Sequence, residues 1–225
     1  MKVQDDMAYI RALIAEGEHV RQDFKFEVSD SRKIARSLSA FSNSEGGRLL
    51  IGVKDNGRIA GVRSEEEMYM VEAAARVYCR PEVEVEMKVY RPEGRQVLVA
   101  SVQPAPLKPV MVREEDGRML AYVRIADENI LATAVHIGVW RCAADAVPAE
   151  AVSFTAQERE LLDVLVAGSS AGGQSVLTGG LTLSQICRRV TIPHRRVVRL
   201  LSLFIHWGLV DICHDSRGFY YRATE

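Results

Sequence analysis

The sequence has no uninterrupted apolar run approaching the ~20 residues that a membrane-spanning helix needs. At its N-terminus Lys2 is soon followed by Asp5 and Asp6, which is not the layout of a secretory leader, so a cytoplasmic protein is expected. Its four cysteines, Cys79, Cys142, Cys187 and Cys213, are scattered without a Cys-x-x-Cys pair. That argues against a disulfide framework or a structural zinc site and for reduced thiols. His19, His136, His194, His206 and His214 lack the His-Glu-x-x-His spacing of a metalloprotease helix and are expected as ordinary surface or core histidines. No Gly-Lys-Ser/Thr follows Gly46-Gly47, and these glycines precede a strand rather than a helix, which excludes the usual ATP-binding P-loop. A tight helix-to-strand turn accounts for both. No internal repeat is visible.

What is present is a chain of 225 residues, long enough for one large domain or two small ones, with apolar and charged fractions of 48% and 26%. A net charge of -1 conceals a division. From Leu181 to Glu225 seven arginines (188, 189, 195, 196, 199, 217, 222) face three acids (Asp211, Asp215, Glu225), so this stretch carries +4 and the remainder -5. Strong attraction for phosphate is therefore expected only near the C-terminus.

Asp5-Asp6 can cap a helix whose Met7, Ile10, Leu13 and Ile14 recur at helical spacing, with Gly17 to stop it. From Asp23 to Val28 the period becomes two: Phe24, Phe26 and Val28 face one way, and Asp23, Lys25 and Glu27 form a wet face. Ser29-Asp30-Ser31 caps a helix bearing Ile34, Leu38 and Phe41 on one side. Leu49-Leu50-Ile51, apolar on both faces, reads as a central strand, and Asn56-Gly57 as a two-residue hairpin turn into Ile59–Val62. A helix over 65–78 and strands over 83–89, 96–102 and 120–125 complete a mixed α/β sandwich, assigned to residues 1–142. Residues 143–153, with Pro148 and small residues but no firm period, are expected as a linker.

The second domain, 154–225, begins with a helix carrying Leu161, Leu162, Leu165 and Val166, followed by a Gly/Ser-rich loop from Gly168 to Gly180. A short helix from Thr182 or Ser184 to Val190, a turn at Thr191-Ile192-Pro193 and a longer helix to about Trp207 come next. On a helical wheel, a broad apolar arc leaves Arg195, Arg199, Ser202 and His206 as a polar stripe, with Arg196 at its margin. The arc is wider than one core demands, so Leu200, Leu203 and Trp207 are expected to pack on a second subunit, on the first domain, or deep within their own domain. Leu209–Cys213 and Phe219–Tyr221 then flank a hairpin tip with Arg217. This order of elements resembles the winged helix-turn-helix of transcription regulators, which implies DNA contact through Arg195, Arg196, Arg199, Ser202, His206 and Arg217.

A second resemblance rests on Gly17-Glu18-His19-Val20-Arg21-Gln22-Asp23-Phe24-Lys25, on Ala40-Phe41-Ser42-Asn43-Ser44-Glu45-Gly46-Gly47, and on Gly52-Val53-Lys54-Asp55-Asn56-Gly57. These resemble, over roughly 16–125, the Schlafen-type AlbA-like domain, a family associated with nucleic acids. The absence of a zinc pattern points to a bacterial-type relative. The resemblance implies two kinds of site. One is a metal-dependent nuclease centre in which Glu18, Asp23 and Asp55 hold magnesium or manganese; the structural alternative pairs Asp23 with Lys25 or Arg21 and leaves Asp55 to turn chemistry. The other is nucleic-acid contact by Lys25, Lys54, Arg58 and Arg124, although Ala126-Asp127-Glu128-Asn129 stands where relatives have a neutral Gly-Ser-Ser loop. The resulting expectation is a DNA-binding transcriptional regulator, a homodimer without a cofactor and open to an unknown effector. The alternatives are a metal-dependent endoribonuclease and a protein-binding adaptor.

Overall fold

The structure, a computed structural model, describes residues 2–62, 65–144, 154–170, 179–216 and 218–224. The chain forms two compact units, Met1–Ala132 and Thr133–Glu225. The described residues make a mixed α/β fold with seven α-helices, none of them long and apolar enough to cross a membrane.

In the first unit α1 (Lys2–Glu16) leads to β1 (Gln22–Lys25), α2 (Ser31–Asn43) and β2 (Gly47–Ile51). Then come α3 (Glu65–Ala73), continued by a π-helix (Ala74–Tyr78), β3 (Cys79–Arg80), β4 (Val85–Tyr90) and β5 (Val97–Val102). β6 (Met111–Arg113), β7 (Met119–Ile125) and β8 (Glu128–Leu131) close the unit. One sheet has the order β1-β2-β5-β4, with β1 and β2 parallel across the α2 crossover and the other pairs antiparallel. The other is antiparallel, in the order β3-β6-β7-β8.

β2 lies inside its sheet, as its two apolar faces require: Leu49 and Ile51 join a core with Ile34, Leu38 and Phe41 of α2, while Leu50 joins Ile10 and Leu13 of α1. Three local expectations change. α1 begins at Lys2, so Asp5 and Asp6 lie within the helix rather than cap it. β1 ends at Lys25, and Phe24 within it and Val28 beyond it enter different cores, so the alternation does not persist to Val28. In the hairpin, Gly57 N donates to Lys54 O at 2.7 Å, which centres the turn on Asp55-Asn56 and puts Gly57 at φ 76°. That is a type I turn with a glycine bulge, not a two-residue turn on Asn56-Gly57.

The second unit comprises α4 (Ala134–Ala144), α5 (Ala156–Ser170), β9 (Leu181–Thr182), α6 (Leu183–Arg189), α7 (His194–His206), β10 (Val210–Asp215) and β11 (Gly218–Ala223). The last two form an antiparallel hairpin to which β9 adds a third strand. Capping boxes start α5 (Thr155 with Glu158) and α6 (Thr182 with Gln185). Leu161, Leu165, Ile186, Val197, Leu201, Phe204 and Tyr221 form the core.

The unit boundary falls before α4, not after it as expected. Val135 is fully buried in the second core, and Gly138 lets the α4 backbone approach α7 so closely that a Cβ there would stand 2.0 Å from Ser202 Oγ. Leu200 is buried in the core of its own unit, while α4, most of it assigned by sequence to the other domain, packs along the α7 face that carries Val198 and Ser202. The linker expected over 143–153 lies, after Ala144, outside the described residues.

His136 of α4 packs edge-on against Phe219 (centroids 4.6 Å apart), and its Nδ1 accepts from Thr133 N at 3.2 Å. Burial pushes the imidazole pKa down to about 4. An unfolded chain takes up this proton below about 6.5, and the folded one does not. The stability contributed by neutral His136 is therefore complete above pH ~6.5 and lost as pH falls towards ~4. Allowing for partial exposure, the loss at pH 4.5 should be about 1 to 2 kcal/mol. Both tryptophans, Trp140 and Trp207, lie in this unit, so fluorescence-monitored urea midpoints at pH 7 and 4.5 read it directly. His136→Asn, which retains an acceptor, should remove this part of the difference; an unaltered difference would assign the acid sensitivity elsewhere.

Candidate nucleic-acid interface

The three carboxylates expected to hold a metal do not converge. Glu18 accepts from Phe24 N at 2.9 Å, and its pKa is raised by burial and by the Asp23 carboxyl beside it, against the lowering effect of the Phe24 amide. Asp23 is buried. Arg124 Nη2 lies 3.4 Å from its Oδ1, and Lys25 Nζ lies 2.8 Å from its Oδ2 as an ion pair outside hydrogen-bond geometry. Asp55 is exposed on its turn. Among the described residues no group of three His, Cys, Asp or Glu side chains could hold a metal ion. The donor set does not fit magnesium or manganese, because one carboxylate already serves two cations and the third is displaced onto a hairpin.

Arg124, expected to meet phosphate, is instead an interior strut. Its side chain is 1% exposed; Nη1 donates to Asn129 Oδ1 at 2.9 Å, Nη2 to Gln22 O at 3.2 Å and Nε to His19 O at 3.4 Å. Its guanidinium also lies 5.2 Å from the centre of the Phe41 ring. The expected wet face of β1 is thus covered, since Arg124 reaches from β7 over Asp23. Lys25 is half-buried in this network, Lys54 sits over Phe26 at 4.8 Å, and Arg58 is exposed on the hairpin.

The Ser-Asn-Ser-Glu-Gly-Gly segment is part of the same frame. Asn43 Oδ1 accepts from Val110 N at 2.7 Å, while its Nδ2 donates to Val110 O at 2.9 Å and Tyr122 O at 3.0 Å. Ser44 Oγ accepts from Arg124 N at 2.9 Å. Gly46, at φ 75°, would place a Cβ 2.7 Å from Val102 O, and Gly47 would place one 2.4 Å from the Phe41 ring, so the glycines serve the turn. Tyr122 donates to Glu114 Oε1 at 2.6 Å, and burial together with that bond raises its pKa to about 12.

In the second unit the arginine stripe survives in part. Arg195, Arg199 and His206 of α7 are exposed, as are Arg188 and Arg189 at the end of α6. Ser202 does not belong to the stripe: it is 1% exposed, and its hydroxyl lies 2.8 Å from Val198 O and 3.2 Å from Val135 O, beneath α4. Arg196 is half-buried with its Nε unpartnered. Arg217 lies outside the described residues. Sequence reading missed Arg141, exposed in the last turn of α4, which lines a groove with Arg195 and Arg199. Its helical spacing was legible, but its place beside α7 was not.

The first unit is thus a mixed α/β domain whose Asp-Phe-Lys strand, Asn-Ser-Glu-Gly-Gly turn and Tyr-x-Arg strand interlock. The chain belongs to the Schlafen, AlbA_2 family, whose model matches residues 18–133, just over half of it. Among solved structures, it is similar to the DIP2311 protein of Corynebacterium diphtheriae, with 17% identity, a TM-score of 0.46 and coverage of 96% of this chain but 38% of that one. The chain therefore spans little more than a third of that protein's length. It is also similar to the N-terminal domain of a RecG-related protein of Nitrosomonas europaea, with 22% identity and a TM-score of 0.43, over 53% of this chain and 86% of that one. No curated protein matches.

Proposed function

We propose that this protein is a DNA-binding transcriptional regulator whose second unit is a winged helix gripping the duplex through α7. The observation that carries the reading is the exposed pair Arg195 and Arg199, for which no carboxylate partner occurs among the described residues. By contrast, Arg36 is paired with Glu114 and Arg222 with Asp211. The sequence of α5, β9, α6, α7 and the β10–β11 hairpin supports the same reading, since such a unit presents its second helix to the major groove. The family's association with nucleic acids is consistent with it. The first unit would supply an assembly or effector surface, and pairing of two copies would double the number of phosphates engaged.

Replacing Arg195 and Arg199 together by alanine should weaken duplex binding and reduce the slope of log affinity against log salt by about 0.9 for each phosphate no longer neutralised. If either arginine reads guanine, about 1 to 3 kcal/mol of discrimination disappears with it. Unchanged affinity, with the fold verified by thermal melting, would reject DNA contact by α7 and favour a protein partner.

A further inference from the structure

The groove between α4 and α7, about 610 Å³ in volume, is lined on one side by Ile137, Gly138 and Arg141 and on the other by Arg195, Val198 and Arg199. Three guanidinium groups border one concavity, and none has a carboxylate partner among the described residues. Arginines gathered in this way repel one another unless an anion is shared between them. The two helices that carry them are held close together. The missing Cβ of Gly138 and the burial of Ser202 seat α4 directly against α7, which carries Arg141, in the last turn of α4, to the arginine stripe.

We infer that Arg141, Arg195 and Arg199 form a single phosphate-binding site, so that α4 is part of the nucleic-acid-facing surface rather than a tether before the second domain. The inference rests on the reading of the second unit as a DNA-binding module, and it adds a contact from outside the helix-turn-helix core. A phosphodiester fits the groove better than a carboxylate, because planar guanidinium groups can each engage a different oxygen of one phosphate or of adjacent phosphates. Ile137 and Val198 add apolar lining to the same groove.

The test compares the full chain with Arg141→Ala and Arg141→Lys in two titrations. With duplex DNA, Arg141→Ala should reduce the salt slope by about 0.9, and Arg141→Lys should keep most of it. With inorganic pyrophosphate, the thermal midpoint of the second unit, followed by tryptophan fluorescence, should rise for the unchanged chain and rise less for Arg141→Ala. If duplex binding depends on Arg195 and Arg199 while Arg141→Ala alters neither titration, the shared site is wrong and the DNA reading stands. If pyrophosphate stabilises the unit in an Arg141-dependent manner but no duplex binds, the site stands and the DNA reading falls. If no duplex binds and pyrophosphate has no effect on the midpoint, both fall.

Discussion

Replacing Arg124 by alanine should cost the first unit about 3 to 5 kcal/mol, the loss expected when one partner of a buried ion pair is removed. The guanidinium is the meeting point of Asp23, Asn129 and the carbonyls of His19 and Gln22, so its deletion leaves the buried Asp23 carboxylate without its buried cation and Asn129 Oδ1 without its donor. Lys25 remains beside Asp23 but is half-exposed and cannot occupy the vacated space. The double variant Asp23→Asn/Arg124→Ala should recover part of the loss, because an uncharged amide is cheaper to leave buried. Urea unfolding followed by far-UV circular dichroism measures this directly. A loss below about 1 kcal/mol, within the range of an ordinary surface pair, would mean that Arg124 is free to serve a ligand.

The second large effect is expected at the glycine pair. Gly46→Ala adds a Cβ 2.7 Å from Val102 O and 2.9 Å from Pro104, at a backbone with φ 75°. Left-handed strain of about 1 to 2 kcal/mol and an overpacking cost of about 1 to 3 kcal/mol should combine to about 3 kcal/mol. Gly117→Ala is the control: φ is 81°, yet nothing lies within 4 Å of the added carbon, so only strain of about 1 kcal/mol is expected. Equal effects at Gly46 and Gly117 would show that crowding at the α2–β2 turn is relieved at little cost.

Local pattern alone determined much of this molecule. The two-faced run Leu49-Leu50-Ile51 specified a strand inside a sheet, because both side-chain directions had to be buried, and Asp30 and Gly17 marked helix ends through hydrogen-bonding and backbone preferences that act within a few residues. The family resemblance was carried by three short motifs, two of which meet in one frame with Arg124. Their chemistry was not legible, since it depends on residues about a hundred positions apart. Glu18 and Asp23 looked like metal ligands until Arg124 closed over Asp23, and Asp55 looked like a third until the hairpin carried it away. Tertiary packing also decided the fate of Ser202 and Arg141. A polar residue on a helical wheel is free only if no other helix covers it, and α4 buries Ser202 while bringing Arg141 to the stripe. Periodicity reports which face of a helix is apolar; it contains no information about which distant segment will pack there.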